Sequence, residues 1–348
     1  MYQVLLPVVI AFLVAFISTP IVIRLARKWG AMDAPCDRKV HTCSMPRMGG
    51  LAIYAGFMAA VLMTQTIDGK LVGILLGCTI IVLLGIVDDI KGLSPKVKLA
   101  GQTLAALVVV LFGVKVSILT NPFAEVLFLE NFKLAIPFTV LWIVGVTNAV
   151  NLIDGLDGLA AGTSGIAAVT IGVVALLEGH FAAAVLAIIL AGSVFGFLPF
   201  NFNPAKIFMG DTGSMFLGFT LSVLAVVGLT KSATIISVFI PVVILGIPIF
   251  DTMYAIIRRF LNGTPIFQAD KEHLHHQLLN MGLTHKQTVL IIYVVNLCLG
   301  SSAVLMSLMA PPQAVVILIG LTVIMLLGMN HLSFAAFSRR QKAKHFGG

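Results

Sequence analysis

Over 348 residues, 59% are hydrophobic and only 10% are charged, with a mean hydropathy of +1.07. Soluble domains carry about 25% charged residues, so the composition excludes one and implies an all-α polytopic membrane protein. The net charge of +8 needs no nucleic-acid partner, because the basic residues fall between apolar runs, where topology and anionic headgroups account for them.

A span needs about 20 mostly apolar residues. Runs at 5–23, 50–66, 71–87, 99–116, 134–150, 159–177, 182–200, 214–229, 233–257, 288–309 and 313–329 predict about eleven transmembrane helices in one integral domain, 1–348. With the N-terminus outside and spans alternating, 18 of the 22 Lys and Arg lie on the cytoplasmic side. Only Lys70, Lys115, Lys133 and Lys231 lie outside. This asymmetry predicts a cytoplasmic C-terminus. The first basic residue, Arg24, comes after the first apolar run, so residues 1–23 read as a retained helix. Cys36 and Cys43 fall in a loop, Cys78 and Cys298 in spans, and none is placed for a structural disulfide.

Taken in order, the first loop ends in Pro46-Arg47-Met48-Gly49-Gly50. Arg47 and the two glycine backbones suit a phosphate, or simply a tight helix entry. The third span ends in Asp88-Asp89, whose mutual repulsion needs a cation or a lysine. One of them would bind metal and the other act as base; Lys98, further on, would neutralise a phosphate. The fifth run leads into Asn148, Asn151, Asp154 and Asp157, each three residues after the last. If the helix continues, they form a slanting row, one polar group per turn. Their oxygen-only chemistry suits Mg2+, and carboxylates at membrane depth are costly and usually functional.

Further on, Asp211 lies between glycines just before a helix, where metal and phosphate would meet. Pro241 and Pro248 predict a kink or break in the ninth span, which carries Asp251. The loop 258–287 contains His273, His275 and His276. They suit a diphosphate or acid–base chemistry better than zinc, since no second cluster of soft ligands accompanies them. All these motifs map to the cytoplasmic ends of helices. That one-sidedness predicts a single cytoplasm-facing cleft for Mg2+-assisted transfer of a phosphorylated group from a soluble donor to a lipid. A transporter would instead place ionisable groups near mid-membrane and show pseudo-repeated halves, and no such repeat is evident.

The 148–159 motif, the Asp88-Asp89 pair, the run Phe208-Met209-Gly210-Asp211-Thr212-Gly213-Ser214, and His273-Leu274-His275-His276, in this order, resemble the polyprenyl-phosphate N-acetylhexosamine-1-phosphate transferases. The 46–50 motif fits as well. The resemblance implies transfer from a UDP-N-acetylhexosamine to undecaprenyl phosphate, releasing UMP, with Mg2+ or Mn2+, in the bacterial cytoplasmic membrane. It implies Asp211, Asp154 and Asp89 at the metal and Asp88 as base. Asn151, Asp154, Asp157, Lys98, Arg47, His273, His275 and His276 are implied to hold substrate. Relatives suggest a homodimer. The peptidoglycan branch, which transfers phospho-N-acetylmuramoyl-pentapeptide, has adjacent histidines followed by Phe-Glu, and its acidic pair is followed by two residues and Lys. Here Leu274 interrupts the histidines and Lys91 comes one residue earlier, so the resemblance points to UDP-N-acetylglucosamine as donor.

Overall fold

The computed structural model describes residues 2–33, 44–116, 118–119, 127–128, 132–229, 235–264 and 273–346. Cys36 and Cys43 lie outside them, as do Glu125 and Asp270. Helix α1 (Tyr2–Trp29) is followed by two short strands, β1 (Met32–Asp33) and β2 (Met45–Pro46), paired antiparallel. Then come α2 (Gly50–Thr64), α3 (Gly69–Lys91) and α4 (Pro95–Leu111), and a second small ribbon of β3 (Ile118–Leu119) and β4 (Leu127–Phe128). The remainder is helical: α5 (Phe132–Leu152), α6 (Leu159–Leu177), α7 (Phe181–Asn201), α8 (Gly210–Leu229), α9 (Ile235–Ile244), α10 (Gly246–Leu261), α11 (Leu274–Asn280), α12 (His285–Leu308) and α13 (Pro311–Phe346).

Eight of the described helices are long and apolar enough to cross a membrane. Helices α2 and α4, at 15 and 17 residues, fall short of the usual span. The ninth apolar run is broken at Leu245, between α9 and α10, in the interval bracketed by Pro241 and Pro248. Proline removes a helix donor and crowds the preceding turn.

Helix α8 is the axis of the bundle. It packs against α2, α3, α5, α6, α7 and α9, and all but a few of its side chains are buried. Such burial in a bilayer cannot rest on hydrophobic contrast with lipid. It rests on close packing and on satisfying every polar group internally. The hydroxyls obey that rule: Thr139, Thr147 and Thr220 each donate to the carbonyl four residues back, at 2.6–2.7 Å.

The condition for a polar row is not met: α5 stops at Leu152, and 153–158 is a run of turns. Gly158, at φ 78°, takes the left-handed conformation that glycine adopts without strain. Asn148 and Asn151 therefore stand on a helix, while Asp154 and Asp157 stand on turns.

Candidate active site

Three chain segments meet at the N-terminal end of α8. A Cβ on Gly50 would lie 2.0 Å from Gly213 Cα, so only bare backbone fits where α2 begins against α8. Main-chain bonds then stitch the two segments. Phe208 N–H donates to Pro46 O (2.9 Å), Gly49 N–H to Phe208 O (3.0 Å) and Gly50 N–H to Met209 O (2.9 Å). The glycine amides at 49 and 50 thus hold protein carbonyls at a tight helix entry.

Arg47 reaches the last turn of α3. Its Nε donates to Asp89 O (3.0 Å) and its Nη2 to Asp88 O (3.1 Å). Nε also lies 3.4 Å from Asp89 Oδ1, and Nη1 lies 3.8 Å from Asp33. Asp89 in turn ties α3 to α8. Its Oδ1 accepts from Asp211 N–H (3.0 Å), and its Oδ2 accepts from Thr212 N–H (3.0 Å) and the Thr212 hydroxyl (2.6 Å). A carboxylate from another helix thereby satisfies two of the orphan donors of the α8 N-terminus and meets its positive dipole end. The Asp89 side chain has no exposed surface. Both its oxygens are engaged, so Asp89 clamps the end of α3 to the start of α8.

Asp88 faces the other way. Leu93 N–H donates to its Oδ1 (2.6 Å) and Lys98 Nζ to its Oδ2 (3.3 Å). The same Nζ donates to Asp211 Oδ2 at 2.8 Å. Lys98 therefore sits between two carboxylates, as their repulsion requires. Asn148 pairs with Gln102 (2.7 Å), and Asn151 donates to Ser214 Oγ (2.7 Å).

Beside this junction opens a cleft of about 440 Å³. Arg47, Asp89, Asp154, Asp157, Asp211 and His276 line it, as expected from sequence. Asp88, Lys98, Asn151, His273 and His275 are not among the residues that line it. Asp157 Oδ2 accepts from Asn203 Nδ2 (3.0 Å) and Ala205 N–H (3.1 Å), which fixes the 201–205 turn as one wall. Asp154 is pushed up to about 8, first by burial and then by the charges of Asp211, Asp89 and Asp157. Burial is the larger cause, and the three nearby carboxylates add to it, so the neutral form of Asp154 is favoured while no cation offsets them.

The histidines divide their work. His273 Nδ1 lies 2.9 Å from Asp251 Oδ2. His275 is buried against Gly155, where a Cβ would come within 2.4 Å of its Nε2; that nitrogen has no hydrogen-bond partner among the described residues. Burial, then the neighbouring His276, push His275 down to about 3. Only His276 of the three faces the cleft. A fourth, His285, lines it too and accepts from Asp157 N–H (2.9 Å). Sequence reasoning missed His285, Asn201, Asn203 and Asp33. The pair Asn201 and Asn203 beside Pro204 is the one local signal that pointed there.

Among the described residues no three His, Cys, Asp or Glu side chains converge as a metal cage. Mg2+ does not need one, since it commonly binds one or two carboxylates together with substrate phosphates and water. Asp154 and Asp211, two acids on one cleft, are that kind of donor set.

Residues 71–229 match the model of Glycosyl transferase family 4. The chain is 47% identical over 310 residues to a probable undecaprenyl-phosphate N-acetylglucosaminyl 1-phosphate transferase of Bacillus subtilis, across 88% of this chain and 86% of the relative. It is 38% identical over 314 residues to a decaprenyl-phosphate N-acetylglucosaminephosphotransferase of Mycobacterium leprae, across 82% and 79%. It is 33% identical over 297 residues to a phospho-N-acetylmuramoyl-pentapeptide-transferase of Halalkalibacterium halodurans, across 79% and 89%. The chain therefore belongs to glycosyl transferase family 4, among the polyprenyl-phosphate N-acetylhexosamine-1-phosphate transferases.

Proposed function

We propose that this protein transfers N-acetylglucosamine-1-phosphate from UDP-N-acetylglucosamine to undecaprenyl phosphate, giving the lipid diphosphate-linked sugar and UMP. An oxygen of the lipid phosphate attacks the β-phosphorus of the donor. The bond from that phosphorus to the bridging oxygen breaks, and UMP leaves with the electron pair. A phosphate monoester is already largely ionised near pH 7 (second pKa about 6), so attack needs little help from a base.

The observation that carries this reading is the placement of Lys98. Its ammonium lies between Asp88 and Asp211 at the head of α8, beside a cleft lined by Asp154, Asp157 and His276. Asp154 and Asp211 would hold Mg2+, which supplies charge neutralisation to the donor diphosphate. Asp89 and Arg47 would keep α3 and α8 in register beneath it. Asp88 would act mainly by fixing Lys98, and a base role for Asp88 requires that Asp88→Asn stop turnover. His276 would meet the donor. The sequence-derived topology, with about eleven spans and the N-terminus outside, puts the cleft on the cytoplasmic face, where the soluble donor is found.

The test is a purified-enzyme assay with undecaprenyl phosphate, Mg2+ and either UDP-N-acetylglucosamine or UDP-N-acetylmuramoyl-pentapeptide. UMP release and lipid-phase label from the first donor alone supports the proposal. Label from the second alone moves the chain to the peptidoglycan reaction. Asp211→Asn should abolish turnover in folded protein, and near-normal turnover would sink its metal role.

A further inference from the structure

Asp251 belongs to none of the motifs that define the site, yet both of its carboxylate oxygens are engaged. It stands on α10, shortly after the break at Leu245. Its Oδ2 is 2.9 Å from His273 Nδ1, and its Oδ1 accepts from Leu274 N–H at 2.8 Å. Both partners are buried: Asp251 is 4% exposed and His273 7%. An ionised carboxylate only accepts, which puts the His273 proton on Nδ1. A buried acid is costly unless it is paired, and one held on two groups more than 20 residues away usually has a purpose.

The neighbouring rings reveal that purpose. The His273 ring is parallel to that of His275, with centroids 6.1 Å apart and planes within 2°. His275 packs on His276 at 4.2 Å. His275 fills the notch left by Gly155, and His276 alone of the three faces the cleft. A line of four side chains thus runs from the bundle interior to the cleft, and Asp251 is its fixed end.

We propose that Asp251 is the positioning residue of the histidine face, setting the His273 ring and the first residue of α11 so that His276 meets the donor. His273 is on this account a strut rather than a substrate ligand. The proposal deepens the donor-transfer reading and rests on it for the identity of the donor, but the carboxylate–imidazole link can be tested without substrate.

The experiment uses full-length protein in detergent with four variants: Asp251→Ala, Asp251→Asn, His273→Ala and the double alanine. Misplacement of a contact residue by an ångström typically costs up to about a hundred-fold. Asp251→Ala should therefore lower kcat/KM for UDP-N-acetylglucosamine between about ten- and a hundred-fold, while KM for undecaprenyl phosphate stays within about two-fold. Asp251→Asn keeps an oxygen for Leu274 N–H and should recover most of the loss. The double variant should be no worse than the poorer single one, because both remove the same link. Equal effects on both substrates, or losses that multiply in the double variant, overturn the proposal. Substrate-free ¹⁵N-histidine NMR supplies a second readout on Asp251→Asn, whichever way Asp251→Ala folds. His273 should be protonated at Nδ1 in wild type and switch to Nε2 when an amide donor faces it. An unchanged His273 signal overturns the link. Wild-type protein that ignores UDP-N-acetylglucosamine defeats the donor reading, while the NMR arm still decides the role of Asp251.

Discussion

Gly155→Ala adds a single carbon to the turn that bears the acidic motif. The new Cβ would lie 2.4 Å from His275 Nε2 and 2.8 Å from its Cε1, where contacts are ordinary only beyond 3.4 Å. Ring or turn must therefore retreat by about 1 Å. His275 has little room to do so, being 3% exposed and flanked by His273 and His276. Gly155 is not among the residues with positive φ, so the effect is steric and not a backbone penalty. Overpacking of this kind costs about 1–3 kcal/mol. If it is all expressed in transition-state placement, kcat/KM falls about 5- to 150-fold. UMP release against donor concentration measures that, and a thermal-shift scan in the same detergent reports any part expressed as lost stability. Adding His275→Ala reopens the notch, so the double variant should be no slower than His275→Ala alone. A Gly155→Ala protein with wild-type kinetics and melting temperature would refute the claim that His275 is wedged there.

The same geometry makes two further predictions. Asp89→Ala strands Arg47 and the first donors of α8, so it should destabilise by about 3 kcal/mol or more, visible as a lower melting temperature, and Asp89→Asn should recover part of the loss. A fall in activity with no change in melting would instead return Asp89 to the metal. His275, held down to about 3 by burial, binds its proton more weakly folded than unfolded. Its contribution to stability is complete above about 6.5 and is lost as pH falls from there toward 3. Melting temperature should drop over that interval, and His275→Gln should flatten the drop. An identical profile in the variant would exclude His275 as a source.

The sequence carried most of this site and little of its assignment of duties. Asp88 and Asp89 are adjacent in the chain, and nothing in their spacing separates a residue tied to Lys98 from one that caps α8. Direction along a helix end decides it, and that depends on a partner more than a hundred residues away. The three-residue spacing of Asn151, Asp154 and Asp157 would make one polar row only if the helix continued. Two Asp-Gly steps ended it instead, because turns cost glycine little. The break of the ninth apolar run was legible, since two prolines announce it. Asp251 was visible as an acid in that run, but its partner was not, because a contact across two elements leaves no periodicity. His285 had no signal at all: it begins α12 after an ordinary capping box on Thr284 and Gln287.

The clamp made by Asp89 also sets an order of events during synthesis. Asp89 and its first partner in α8 are 122 residues apart. At about 5–20 residues per second, translation needs roughly 6 to 24 s to cover that distance. Throughout that interval α3 ends in an acid whose principal donors do not yet exist, and the 46–50 segment has no strand at Phe208 to pair with. The acidic pocket therefore closes only when the eighth helix enters the bundle. Chains that stop before Gly210 would carry every upstream acid and still lack a formed site, leaving premature termination products without a competent donor pocket.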